Sequence, residues 1–231
     1  GTANVALGHR ALLTNSTADN NTAVGYDSLK ANTTGSENVA IGVNALVTNT
    51  TAAENTAIGV NAMYANTTGT DNVAIGHNAL DANTTGTDNT AVGKSALTAN
   101  VTGTINVAVG HNALGSYLGS TSTAVGYAAL SLATGVENQA FGSRAMQNTT
   151  TGSENTAVGR SAMVTNTSGA FNVAVGKQAL ENNTTAGHNT SVGYQALKAN
   201  TTGIDNVAMG SGAGTALTTG SNNTAIGRVA L

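Results

Sequence analysis

The chain has 231 residues and a formal charge of −3, with 40% apolar and 8% charged residues, two Phe, five Tyr and no Trp, Pro or Cys. That balance excludes a basic surface for nucleic acid and the high net charge of a disordered chain. So few bulky side chains also limit any core to a thin one.

From the N-terminus onward one phrase keeps returning: "NVAIGVNAL" at 38 comes back as "NTAIGVNAM" at 55 and "NVAIGHNAL" at 72. Units open at 4, 21, 38, 55, 72, 89, 106, 122, 138, 155, 172, 189, 206 and 223, each on Asn except at Ser122. Eleven of the 13 intervals are 17 residues and the two flanking Ser122 are 16, so the irregularity sits in one place. A fixed short period indicates a solenoid, in which each unit buries its apolar face only by stacking on its neighbours.

Within a unit the pattern is N-[TV]-A-[VI]-G-x-x-A-L-x-x-N-T-T-G-x-[DE], with Gly fifth in all 14 units and Ala third in all but the unit holding Ser191. Positions one to five alternate with period two and read as a short strand. A helix is unfavourable here, because a Gly in every unit costs about 1 kcal/mol each and Asn and Thr add to that. A turn is expected after the glycine, a second short strand around the A-L pair, and a loop at N-T-T-G. Each unit thus makes one coil of an all-β, parallel β-solenoid with two narrow sheets. The fourth position and the leucine, Ile75 and Leu80 in the fifth coil, are the expected inward ladders. The second position alternates Val and Thr from Val5 to Thr123. The Thr hydroxyl needs a partner, so this column is expected at the edge of the core.

The third and fifth positions are then assigned to the opposite face. Ala74, Gly76, Ala91, Gly93, Ala108 and Gly110 form a flat, low-relief surface that another backbone can approach closely. They are the candidate contact face between subunits, with a tight bend as the alternative reason for their size.

Repeats such as "NTAVG", "NVAIG" and "NTAIG" followed by "AL" resemble the head repeats of trimeric autotransporter adhesins, and related repeats of phage and bacterial fibre proteins. The resemblance covers essentially the whole chain. It implies a left-handed β-roll, a homotrimer of parallel chains, and an extracellular place on a bacterial cell surface or virion fibre. The implied partners are a host, matrix or prey surface protein or glycan. The 17-residue unit with its N-T-T-G loop is longer than the coil of that family.

Catalysis is not expected. His9, His77, His111 and His188 have no Cys beside them and no metal-ligand spacing within a coil, so no metal or other cofactor is called for. No nucleophile elbow, P-loop or carboxylate pair stands out from the repeat. Hexapeptide acyltransferases share a β-helical fold, but their coil holds three similar hexads. Nor does an apolar run approach the length of a spanning helix or a charged leader precede one, so membrane insertion by this segment and a retained signal peptide are not expected.

Binding must come from what varies. The sixth position mixes His, Tyr, Val, Lys, Ser and Arg and reads as a solvated stripe, whereas the last position is acidic in seven units. Glu37, Glu54, Asp71 and Asp88 fall on successive coils about 4.8 Å apart, a repulsive row for which loop hydrogen bonds are the expected relief, with solvation or a hard cation as alternatives. Nine units carry Asn-x-Ser/Thr at the twelfth position, among them Asn32, Asn66 and Asn200. These are formal glycosylation acceptors, but equally the residues that a turn requires. Threonine ladders raise an ice-binding solenoid as an alternative function, although here the Thr pair is adjacent in a loop and not two apart on a strand. The two short units replace the N-T-T-G segment with "GSYLGST" and "SLATGVE". Tyr117, Leu118 and Leu132, with Tyr127 and His111, are therefore the candidate recognition belt, since apolar groups in a surface loop tend to meet something. Uncapped units at both ends are expected to make the chain an excerpt of a longer fibre. The expected function is that of a non-enzymatic fibre or adhesin head giving reach and attachment, with a phage tail-fibre segment as the alternative.

Overall fold

The structure, a computed structural model, describes residues 1–231 in two compact units, Gly1–Ser120 and Thr121–Leu231. In the first unit the strands are β1 (Val5–Leu7), β2 (Thr22–Val24), β3 (Val39–Ile41), β4 (Thr56–Ile58), β5 (Val73–Ile75), β6 (Thr90–Val92) and β7 (Val107–Val109). In the second they are β8 (Thr123–Val125), β9 (Gln139–Phe141), β10 (Thr156–Val158), β11 (Val173–Val175), β12 (Thr190–Val192), β13 (Val207–Met209) and β14 (Thr224–Ile226). Within each unit successive strands pair in parallel and in repeat register, as in Val73↔Thr90, Ala74↔Ala91 and Ile75↔Val92. Each unit is thus a parallel β-solenoid with about 17 residues to the turn, and the chain has no helix.

The expected second sheet is absent. The seventh and ninth residues of the coil are left-handed, as at Asn78 (φ 53) and Leu80 (φ 52), so the A-L segment folds back and forth where a strand would extend. The last residue of the coil is left-handed too, for example Glu54 (φ 60). A non-glycine residue in this region costs about 1–2 kcal/mol. Bonding between coils offsets it: Asn78 N–H donates to Val60 O at 3.0 Å in the preceding coil, Leu80 N–H to Ala96 O at 3.0 Å in the following one, and Glu54 N–H to Ser36 O at 3.1 Å. These left-handed residues thus turn their amides along the solenoid axis, toward acceptors in the adjacent coils.

The facing of the strand is the reverse of the expected one. Ala74, Ala91 and Ala108 are fully buried, whereas Ile75 at the fourth position is 37% exposed. Inside, the third-position Ala packs with the eighth-position Ala and ninth-position Leu or Met, such as Ala79 and Leu80, both fully buried. A coil this narrow holds only one large side chain, which is why the inward residue of the strand is Ala.

Two columns of buried asparagine complete the interior. In the fifth coil Asn72 Nδ2 donates to Gly86 O at 2.9 Å, and Asn83 Nδ2 donates to the same carbonyl at 3.0 Å. Upward, Asn72 Oδ1 accepts from both the backbone N–H and Nδ2 of Asn89 at 3.0 Å, and Asn83 Oδ1 accepts from Asn100 Nδ2 at 3.2 Å. The first and twelfth positions therefore close their own coil and staple it to the next, which satisfies amides that would be costly to bury alone.

Gly76 explains the fifth position. Its φ of +140° lies where side chains are strained, and a Cβ there would stand 2.6 Å from Gly93 O in the next coil. The close approach that its smallness permits is that of the neighbouring coil of the same chain.

Candidate binding surfaces

Ala74, Ala91 and Ala108 are inside, and the half-buried Gly76 and Gly93 stack on the glycines above them, so the expected subunit face is taken up within the chain itself. Gly110 takes the same left-sided backbone, at φ 130°. What the strands present outward is the second and fourth positions: a half-buried column of alternating Val and Thr beside a more exposed column of Val, Ile, Phe and Met. Ile41 (38%), Phe141 (39%), Val158 (38%) and Met209 (47%) are apolar groups left in water on this face. Sequence reasoning misplaced the column because period-two alternation defines two faces without saying which is inner. A signal was available: the third position hardly varies in size, as a tight core demands, whereas the fourth ranges from Val to Phe.

The belt proposed at the short coils divides. Tyr117 is fully buried, and its hydroxyl donates to Ser120 O at 2.8 Å, so it is a packing residue and not a recognition group. In the first unit His111 is exposed and Leu118 is 57% exposed. In the second, Tyr127 and Leu132 are exposed as well. The sixth-position column is exposed and stacks on itself, with the His9 and Tyr26 rings 5.3 Å apart and Lys177 Nζ 5.7 Å from the Tyr194 ring. Arg10 lies over the same Tyr26 and pairs with Asp27 at 2.6 Å.

The acidic row is exposed along Glu37, Glu54, Asp71 and Asp88. Its backbone amides bond to the preceding coil, as Glu54 N–H does to Ser36 O, but the carboxylates still repel. The hydrogen bond with Asp71, then the charges of Asp71 and Glu37, hold the Glu54 carboxyl above its ordinary value. Nowhere do three His, Asp or Glu side chains gather as metal ligands.

The formal glycosylation acceptors Asn32, Asn66 and Asn200 are fully buried members of the twelfth-position ladder, so in the folded chain they are out of reach of a modifying enzyme. The Thr that follows is also engaged: Thr67 Oγ1 donates to Thr84 O at 3.1 Å and Thr184 Oγ1 to Thr201 O at 3.0 Å. The N-T-T-G loop is thereby a structural seam. No family model, curated protein or solved structure matches the chain.

Proposed function

We propose that this chain is a segment of a non-enzymatic extracellular fibre, a left-handed β-roll that gives reach and surface attachment and assembles as a homotrimer through the outward face of its strands. The observation that carries the reading is the exposed apolar column at the fourth position. In a single chain Ile41 and Ile75 of the first unit, and Val158 and Met209 of the second, remain in water, and an apolar strip along the strand face of a unit marks a surface that meets a partner. Another copy is the natural occupant, since identical coils in parallel register match this column at every step. Resemblance of the repeat to adhesin heads supports the same assembly on a bacterial surface, with a host, matrix or prey protein or glycan as target. A phage fibre is the same scaffold displayed elsewhere.

Sedimentation velocity of the wild type and of the Ile58→Lys/Ile75→Lys variant tests assembly. The wild type should sediment as a trimer and the variant as a monomer with unchanged circular dichroism. A monomeric wild type at micromolar concentration would remove the proposal.

One observation favours a second reading. Outward Thr22, Thr56 and Thr90 stand two residues from Val24, Ile58 and Val92 on a regular ladder, which is closer to the spacing an ice-binding face uses than the loop threonines are. Gln139, Phe141 and Met209 interrupt that regularity in the second unit, and for this reason the fibre reading stands first. Thermal hysteresis of the purified protein separates the two: its presence would favour ice, its absence the fibre.

A further inference from the structure

Three of the eight Lys and Arg residues line one open cleft of about 280 Å³ in the second unit. Arg144, Arg160 and Lys177 come from successive coils, opening at 138, 155 and 172, with Ser161, Gln178 and Glu181 between them. Arg160 and Lys177 share the sixth position, where stacked coils stand about 4.8 Å apart per step, and Arg144 comes from the seventh position of the coil before.

What sets the cleft apart is that its charge is uncompensated. Arg10 and Lys30 share Asp27, and Lys198 pairs with Glu181 at 3.2 Å. None of the three cleft cations has a carboxylate within salt-bridge distance. Glu181, the one acid on the wall, is already held by Lys198 and by Gln178 Nε2 at 2.9 and 3.0 Å. Lys177 only rests over the Tyr194 ring. Ser161 also lines the cleft and is nearly buried. Of the five cations without an ion pair, three thus meet in this cleft, and the other two, Lys94 and Arg228, lie outside it.

We infer that the cleft is a binding site for sulfate ester groups of a sulfated polysaccharide. Guanidinium groups present parallel N–H donors that fit two oxygens of a tetrahedral oxyanion, and two of the three cations are Arg. Cations on three successive coils match anionic groups spaced along a polymer better than a single small ion. A nucleic acid fits less well. Its charge is uniform along the backbone, so beyond the cleft it would run over a chain that is acidic on balance, whereas sulfates clustered on a sugar chain engage the cleft alone. The assignment is independent of the self-association proposed above, because the cleft lies outside the second- and fourth-position columns and its test is read at any oligomeric state.

Calorimetric titration with a heparin hexasaccharide at low ionic strength tests it. The wild type should bind this probe and not its desulfated counterpart, with affinity falling as salt is raised. Arg144→Gln/Arg160→Gln should weaken binding at least tenfold and Lys177→Gln severalfold, each with an unchanged unfolding midpoint. Lys94→Gln in the first unit should leave binding within twofold. Sulfate-independent binding, no binding by the wild type, an equal loss with Lys94→Gln, or tighter binding of a single-stranded oligonucleotide would each overturn the assignment.

Discussion

Tyr117 occupies the place that Asn100 occupies one coil earlier, and each makes the same bond to the residue three further on: Tyr117 hydroxyl to Ser120 O at 2.8 Å, Asn100 Nδ2 to Gly103 O at 3.0 Å. The phenol reproduces the donor of the asparagine column but not its upward link. Asn100 Oδ1 is accordingly buried without a hydrogen-bond partner, and the same holds for Asn200 Oδ1, below Leu217. The short coil is therefore a point where the ladder stops and aromatic packing takes over.

Truncating Tyr117 should then cost stability. Tyr117→Ala is expected to lose about 3–5 kcal/mol, as for other buried aromatics, and Tyr117→Phe about 1 kcal/mol for the lost hydrogen bond. Leu118→Ser, at an exposed position, should stay within about 0.5 kcal/mol. Urea denaturation of the three variants checks this. Equal, small effects at both positions would put Tyr117 back on the surface.

The first-position asparagines should be among the least replaceable polar residues. Asn72→Ala removes the acceptor of Asn89 N–H and one donor to Gly86 O. Each orphaned buried group costs about 1–3 kcal/mol, whereas Thr85→Ala in the exposed loop should change stability by less than about 0.5 kcal/mol. Hydrogen exchange should show loss of protection at Asn89 N–H in Asn72→Ala. Retained protection there would mean that the staple is not what holds the coils together.

Two carboxyls should give opposite pH dependences. Glu54 is raised above its ordinary 4.5, so in the fold it binds its proton more tightly than in the unfolded chain. Its contribution is therefore favourable below that range and is lost as pH rises through the raised value. For Asp27, burial pushes the carboxyl up, but hydrogen bonds and charge from Arg10, then Lys30, outweigh it and leave it below 3.8. Its stabilisation is present above that value and is lost as pH falls through the lowered one. Glu54→Gln should raise the thermal midpoint at pH 7 and at low salt, with the gain vanishing at pH 3. Arg10→Gln should lower the midpoint at pH 7, and the loss should shrink as pH falls through the lowered Asp27 value. A Glu54→Gln shift that is independent of pH would remove the repulsion argument.

The repeat made the solenoid and its coil length legible, because stacking in register demands a constant period. It also located the strand, which covers positions two to four of the expected one to five, and placed Leu80 inward. Two physical facts lay outside its reach. Left-handed residues such as Leu80 are intrinsically unfavourable, and only the acceptors of adjacent coils make them possible, so local propensity pointed to a second strand. Asparagine looked like turn chemistry and a modification signal, because satisfaction of a buried amide such as Asn66 depends on the coils above and below it: Nδ2 donates to Asn49 Oδ1 and Gly69 O, and Oδ1 accepts from Asn83. Of the belt residues, Leu118, Leu132, Tyr127 and His111 are exposed as surface groups, and Tyr117 alone is drawn inside by its phenol's bond to Ser120.

Oxidative cross-linking of single cysteines tests the facing of the strand and the assembly built on it most directly, since the chain has no cysteine of its own. Ile75→Cys places a thiol on the outward column and Ala74→Cys one on the fully buried inward column. Under copper-phenanthroline oxidation at micromolar protein, Ile75→Cys should form disulfide-linked chains on a non-reducing gel while Ala74→Cys stays single and unreactive toward maleimide. Cross-linking of Ala74→Cys with none at Ile75→Cys would return the small-residue column to the subunit interface and contradict the account.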